Sequence, residues 1–165
     1  MRTVDLTAVE HHLPIVESHL LWPDEDATRA FAQQLAAQAA IRHAFIELHG
    51  DLGAGKTTLV RHLLQALGVQ GRIKSPTYAV VEPHEANGLA IWHFDFYRFT
   101  DPREWEDAGF RDLFASPGLK LAEWPQQAGR LLPRADLVIR IAVDEDGVRR
   151  ASLAAQTAVG RELVA

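Results

Sequence analysis

The chain of 165 residues is 47% apolar and 24% charged, with a formal net charge of -5, values ordinary for one soluble folded domain and unlike a disordered or low-complexity chain. An acidic balance argues against a protein that grips a nucleic acid backbone by itself, and the lack of cysteine excludes disulfides and thiolate metal sites. No run approaches the roughly 20 apolar residues of a membrane helix, and the opening "MRTVDLTAVEHHLP" has acids and histidines where a signal peptide needs an apolar core, so a cytoplasmic location is expected.

Residues 1–14 carry no sustained period and read as a flexible extension. A short strand, "IVESHLL", precedes Pro23. Asp24 then caps a helix with Glu25 and Asp26 in its first turn, where acids favour the positive end of the helix dipole. "ATRAFAQQLAAQAA" carries that helix to about residue 40, with Phe31 and Leu35 on one face. "HAFIELH" has the length and composition of a strand and runs into "GDLGAGKTT". Beyond it Leu59, Val60, Leu63, Leu64 and Leu67 form a helical stripe that Gly68 ends. "TYAVVEP" and "LAIWHFDF" make a hairpin turned at Asn87 and Gly88. Asp101, Pro102 and Glu104 open a helix through "REWEDAGFRDLF", broken at Gly109. "LKLAEW", "LVIRIAV" and "VRRASLA" are further strands, the last two about the turn "DEDG". The fold class is α/β: a mixed, mostly parallel central sheet flanked by helices, with antiparallel hairpin additions. Neither a repeat nor a linker divides residues 15–165, which read as one domain.

Gly50, Gly55, Lys56 and Thr57 match the phosphate-loop pattern of glycine, four residues, glycine, lysine and a hydroxyl residue. Its chemistry follows from the residue types. The turn Gly50, Asp51, Leu52, Gly53, Ala54, Gly55 aims backbone amides at phosphate oxygens, and the helix that follows adds its positive end through Lys56, Thr57 and Thr58. Lys56 reaches the outer phosphates and Thr57 ligates magnesium. Such sites recruit further acid from the ends of neighbouring strands. Asp95, closing "LAIWHFD", is the first candidate, and Glu123, closing "LKLAE", the second. In an open parallel sheet, carboxyl strand ends converge on the ligand crevice. Trp124 then stands at the mouth of the site. "KSPTYAVVEP" fits a switch loop, with hydroxyls at Ser75 and Thr77. His11, His12, His19, His43, His49, His62, His84 and His93 show no metal-ligand spacing supported by acids, and no zinc site is expected.

The guanine-reading N-K-x-D pattern is absent, so ATP is the expected nucleotide. No catalytic glutamine stands beside the switch and no arginine can be placed as a finger, which points to a weak ATPase completed by a partner. Two other readings stay open on the residues alone. One is a small-molecule kinase, although "REWEDAGFRDLF" is too acidic for an arginine-rich lid; the other is a module that holds ATP without turnover.

"GDLGAGKTT", "KSPTY", "HFDFYR" and "LAEWPQQ", in this order and spacing, resemble the TsaE (formerly YjeE) family, from about Leu21 to the "DEDG" hairpin. The resemblance implies a P-loop ATPase that uses ATP and Mg2+ and acts with TsaB and TsaD in forming threonylcarbamoyladenosine beside the tRNA anticodon. It implies that tRNA is reached only through that complex and that no membrane is involved. It further implies that Lys56 and Thr57 serve phosphate and magnesium, that Asp95 is an essential acid near metal and attacking water, and that Glu123 is a magnesium-site acid. Trp124 is implied near nucleotide and partner, Thr28 of "PDEDAT" near the adenine, and one late arginine, Arg149 or Arg150, near the nucleotide. The chain departs from the family pattern at Phe96, Ala79 and His84, positions of packing more than chemistry.

Overall fold

The computed structural model describes residues 14–73, 76, 80–107 and 109–165. The expected N-terminal extension, up to residue 13, and the switch-loop hydroxyls Ser75 and Thr77 lie outside the described residues. In chain order the elements are β1 (Val16–Trp22), α1 (Glu25–Ala37), β2 (Phe45–His49), α2 (Lys56–Ala66), β3 (Val81–Ala86) and β4 (Leu89–Asp95). Then come α3 (Pro102–Asp107), α4 (Phe110–Ala115), β5 (Leu119–Glu123), β6 (Leu137–Val143), β7 (Arg149–Ala155) and α5 (Ala158–Val164).

The strands form one sheet in the order β1-β7-β6-β2-β5-β4-β3. Its centre, β6-β2-β5-β4, is parallel, while β7 pairs antiparallel with β6 and β1, and β3 with β4. The four parallel strands therefore end at one edge, which gathers His49, Asp95, Glu123 and Val143. Burial explains who sits where. All five residues of β5 are buried, as a strand covered on both faces requires, and the edge strand β1 alternates toward solvent. Pro83 stands in β3, the opposite edge, where a missing ladder donor is tolerated.

Two cores flank the sheet. One is aliphatic, with Ile46, Leu48, Leu121 and Ile139 of the sheet meeting Leu35 of α1, Leu59 and Leu64 of α2 and Leu163 of α5. The other is aromatic: Phe45, Phe94 and Phe96 meet Trp105 and Phe110, with Phe94 stacked on Phe114 at 4.6 Å and edge-on to Phe110 at 5.6 Å. Each such side chain contributes about 1.5–3 kcal/mol through burial, and the aromatic group holds the long β4–β5 connection on the sheet.

Local signals behave as expected at the start of α1 and at the break between α3 and α4. Asp24 Oδ1 accepts from the Ala27 amide at 2.9 Å, and Gly109 separates α3 from α4 with φ 68°. The first helix stops at Ala37 rather than about residue 40, because Ala39–His43 tighten into a 3-10 turn that buries Ala40 and Ile41. The closing helix α5 was not expected, since Gly160 interrupts its apolar pattern. Its reason for being is tertiary. Thr157 Oγ1 accepts from the Gly160 amide at 3.2 Å and donates to Asp136 Oδ1 at 2.7 Å, and the same carboxylate accepts the Phe45 amide at 2.7 Å. Among the described residues no helix is long and apolar enough to cross a membrane.

A methyl group on Gly160 would overlap the Asp136 carbonyl oxygen. Gly160→Ala is therefore expected to destabilise the protein by about 1–3 kcal/mol, read as a lower midpoint in urea with α5 amides losing exchange protection.

Candidate active site at the carboxyl edge of the sheet

Beyond β2 the backbone turns through residues 50–55 into α2. Gly50 has φ 154° and a Cβ there would lie 2.6 Å from the Ile141 carbonyl oxygen. Gly55, the residue before α2, has φ 110°, and its Cβ would meet Arg149 Nε at 2.6 Å. Gly50 is thus required both by conformation and by the neighbouring backbone, and Gly55 by conformation, since the Arg149 side chain beside it can shift. The first amides of α2 have no partner within the helix and carry the positive end of its dipole, an arrangement suited to an anion.

Lys56 is only 5% exposed. Its Nζ donates to the carbonyls of Gly50 and, at 3.2 Å, Asp51, and lies 4.1 Å from the centre of the Trp124 ring. Burial draws its pKa below the ordinary lysine value, opposed by the charges of Glu123, Asp95 and Asp51. Trp124 adopts the left-handed conformation with φ 54° and its ring packs 5.0 Å from that of Tyr97.

Glu123 is 2% exposed, yet both its oxygens are engaged. Thr57 Oγ1 donates to Oε1 at 2.9 Å, and His93 Nε2 donates to Oε2 at 2.5 Å. Asp95 stands directly opposite Glu123 in the β4–β5 register and accepts the Tyr97 amide at 3.0 Å. Desolvation raises the Asp95 pKa above the ordinary aspartate value; the Tyr97 bond opposes this, and the neighbouring Glu123 charge adds to it. Two carboxylates and a hydroxyl at one strand edge suit Mg2+, which binds through one or two carboxylates plus substrate phosphates and keeps several waters.

These groups line a cleft of about 180 Å³ formed by residues 51–58, Asp95, Glu123, Trp124 and Arg149. A larger groove, about 630 Å³, opens over the outer strands by His19, Arg140, Arg150 and Ser152; it holds no acid pair, whereas the smaller cleft does. The alternation of β7 separates the two late arginines. Arg149 donates from Nε to the Ala54 carbonyl at 3.0 Å, whereas Arg150 lies near Asp144 at 3.5 Å. Of the remaining candidates, Thr28 is fully buried on α1, outside the cleft wall, and its hydroxyl has no hydrogen-bond partner among the described residues.

One residue of the site escaped sequence reasoning. His93 reads in the sequence as one of the histidines without acidic support, but its position two before Asp95 on a strand puts it on the same face. His62 with Glu25 and His49 with Glu47 also form single pairs, at 2.8 and 3.3 Å. Among the described residues no three His, Asp or Glu side chains gather into a metal-binding group.

A glycine loop wrapped between a central parallel strand and a helix start, with acids on the neighbouring strand ends, defines the class as a P-loop protein. Comparisons with known proteins narrow it. The family model for "Threonylcarbamoyl adenosine biosynthesis protein TsaE" matches residues 22–151, and the chain belongs to that family. The tRNA threonylcarbamoyladenosine biosynthesis protein TsaE of Haemophilus influenzae is 41% identical over 146 residues, covering 86% of this chain and 92% of that one. The protein of the same name from Bacillus subtilis is 36% identical over 126 residues, 75% and 77% of the two chains. The crystal structure of Bacillus YdiB superposes with a TM-score of 0.77 at 26% identity, over 92% of this chain and 94% of that one.

The raised pKa of Asp95 has a definite sign. The folded protein holds that proton more tightly than the unfolded chain, so the group favours folding below the unfolded pKa and loses that contribution as pH rises through the folded one. Asp95→Asn, without nucleotide, is expected to melt at a higher temperature than wild type at neutral pH, with the difference vanishing below the ordinary carboxylate range. Thermal melting across pH measures it.

Proposed function

We propose that the chain is a magnesium-dependent ATPase, slow alone, that acts with TsaB and TsaD in forming threonylcarbamoyladenosine beside the tRNA anticodon. The observation that carries this reading is the Thr57–Glu123 hydrogen bond, 2.9 Å long, facing Asp95 across one cleft. Thr57, Glu123 and Asp95 would hold the ion, and when bound it would neutralise charge on the phosphate oxygens.

The chain's own groups have distinct tasks. Amides of residues 50–58 take phosphate oxygens at the start of α2. Lys56 exchanges loop carbonyls for the outer phosphates, a modest exchange because its ammonium is already largely desolvated. Asp95 orients the attacking water and Trp124 covers nucleotide and partner at the mouth. Thr28 is assigned to the adenine end on the resemblance of "PDEDAT" to the family; fully buried on α1, it would act there by packing beneath that segment. Arg149 is the arginine of the cleft wall: the Ala54 carbonyl holds its Nε, which leaves its terminal nitrogens for the nucleotide, and need for a partner is supported by the lack of a catalytic glutamine beside the switch. Residues 15–165 work as one ATPase domain in the cytoplasm, with 1–14 as an extension, and tRNA is met only through the complex.

ATP hydrolysis with magnesium should be slow alone and rise when TsaB and TsaD are added. Lys56→Ala and Asp95→Ala are each expected to lower the stimulated rate by about a hundredfold or more. Turnover that ignores TsaB and TsaD and appears only with a small-molecule acceptor would overturn the reading in favour of a kinase.

Arg149→Ala and Arg150→Ala separate the two arginines. The first is expected to weaken ATP binding by about tenfold, the value of one charge-assisted contact, and the second to leave it unchanged, by calorimetric titration.

A further inference from the structure

His93 and Glu123 are both buried, with side chains 1% and 2% exposed. In the β4–β5 register Asp95 pairs with Glu123 and His93 with Leu121, so alternation turns His93, Asp95 and Glu123 to the same face. From one row below, His93 reaches Glu123 Oε2 at 2.5 Å while Thr57 occupies Oε1. A carboxylate held at one oxygen can still rotate about its last bond; one held at both is fixed in plane. The bond is made at the expense of the rest of the ring. Nδ1 is buried and has no partner among the described residues, an uncompensated nitrogen that an apolar residue filling the same space would not bring.

We propose that His93 is a positioning residue: it holds Glu123 by Oε2 and thereby aims Oε1, with the Thr57 hydroxyl bonded to it, at the cleft. The inference rests on the reading of Thr57 and Glu123 as the magnesium side of a nucleotide site. Thr57 can offer a lone pair to a cation only while its O–H points away from it, and Glu123 Oε1 accepts that O–H. His93 is not among the residues lining the cleft and acts through Glu123 alone. Partners of this kind, one step behind a metal-facing group, typically change metal affinity by about 10–100-fold when removed.

The test is binding rather than turnover. Affinity for a fluorescent, non-hydrolysable ATP analogue is titrated with magnesium and with EDTA for wild type, His93→Leu, His93→Gln, Glu123→Gln and the double variant His93→Leu with Glu123→Gln. In His93→Leu the gain in affinity given by magnesium should fall about tenfold or more, while affinity in EDTA stays within about twofold. His93→Gln, whose amide donor can stand where Nε2 stands, should keep most of the gain. The double variant should bind no more weakly than Glu123→Gln, because the two residues act as one unit. Should His93→Leu not fold, His93→Asn, too short to reach Oε2, takes its place. A full magnesium gain in His93→Leu, or an equal loss with and without magnesium, overturns the positioning role. If that full gain coexists with its loss in Glu123→Gln, this inference alone fails. A wild type with no magnesium gain overturns both this inference and the reading beneath it.

Discussion

A carboxylate buried at the end of a central strand is the constraint around which this molecule is organised. Removing a charge from water costs several kcal/mol even after relaxation, and Glu123 is 2% exposed. It is met by the Thr57 hydroxyl from α2, the His93 ring from β4 and the field of Lys56. Those groups come from different elements, so the partners of one side chain tie the loop, the helix after it and two neighbouring strands into a fixed relation. The "LKLAEW" strand can therefore end in an acid because the fold delivers donors to both its oxygens.

The phosphate loop is shaped by what surrounds it as much as by its own glycines. Gly50 passes close to the Ile141 carbonyl of β6, and Gly55 close to the Arg149 side chain of β7. The β6–β7 hairpin, remote in sequence, thus presses on both ends of the loop, and Arg149 adds a hydrogen bond to Ala54 in between. On the other side of the sheet the aromatic core holds Phe96 and Phe99, which brackets Tyr97 and brings it against Trp124. Each wall of the cleft is in this way backed by a packed core rather than by a free loop.

Much of this was legible because the signals are local. Asp24 as a cap, Gly109 as a break, the Asn87–Gly88 turn and the glycine-lysine-threonine pattern each need only a few adjacent residues, and each stands where its local signal puts it, the last at the turn into α2. Strand-end placement of Asp95 and Glu123 followed from strand length alone, and the register that sets them side by side agrees with it. What was not legible depends on distant partners. α5 exists because Asp136 receives Thr157 and makes room for Gly160, and a seven-residue helix with an interior glycine gives no periodic signal. His93 looked like one scattered histidine among eight because its role appears only once β4 and β5 are paired. Arg149 and Arg150 could be told apart only when the strand direction and its faces were known.

Trp124 carries the last step. A large aromatic residue with φ 54° is a backbone outlier, and non-glycine residues persist there only where the surroundings over-determine them, typically at functional sites. Here Pro125 starts a 3-10 turn directly after it, Tyr97 packs on its ring, and Lys56 lies over that ring at 4.1 Å. An ordinary extended residue would carry β5 onward in line with the strand. The left-handed turn instead swings the indole back over the lysine of the phosphate loop, so the strain at one residue couples the end of the acid-bearing strand to the cation of the loop. The sequence Glu123-Trp124-Pro125 is therefore a single device: the acid fixes the floor of the cleft, the turn redirects the chain, and the ring closes over the charge that the acid helps to keep buried.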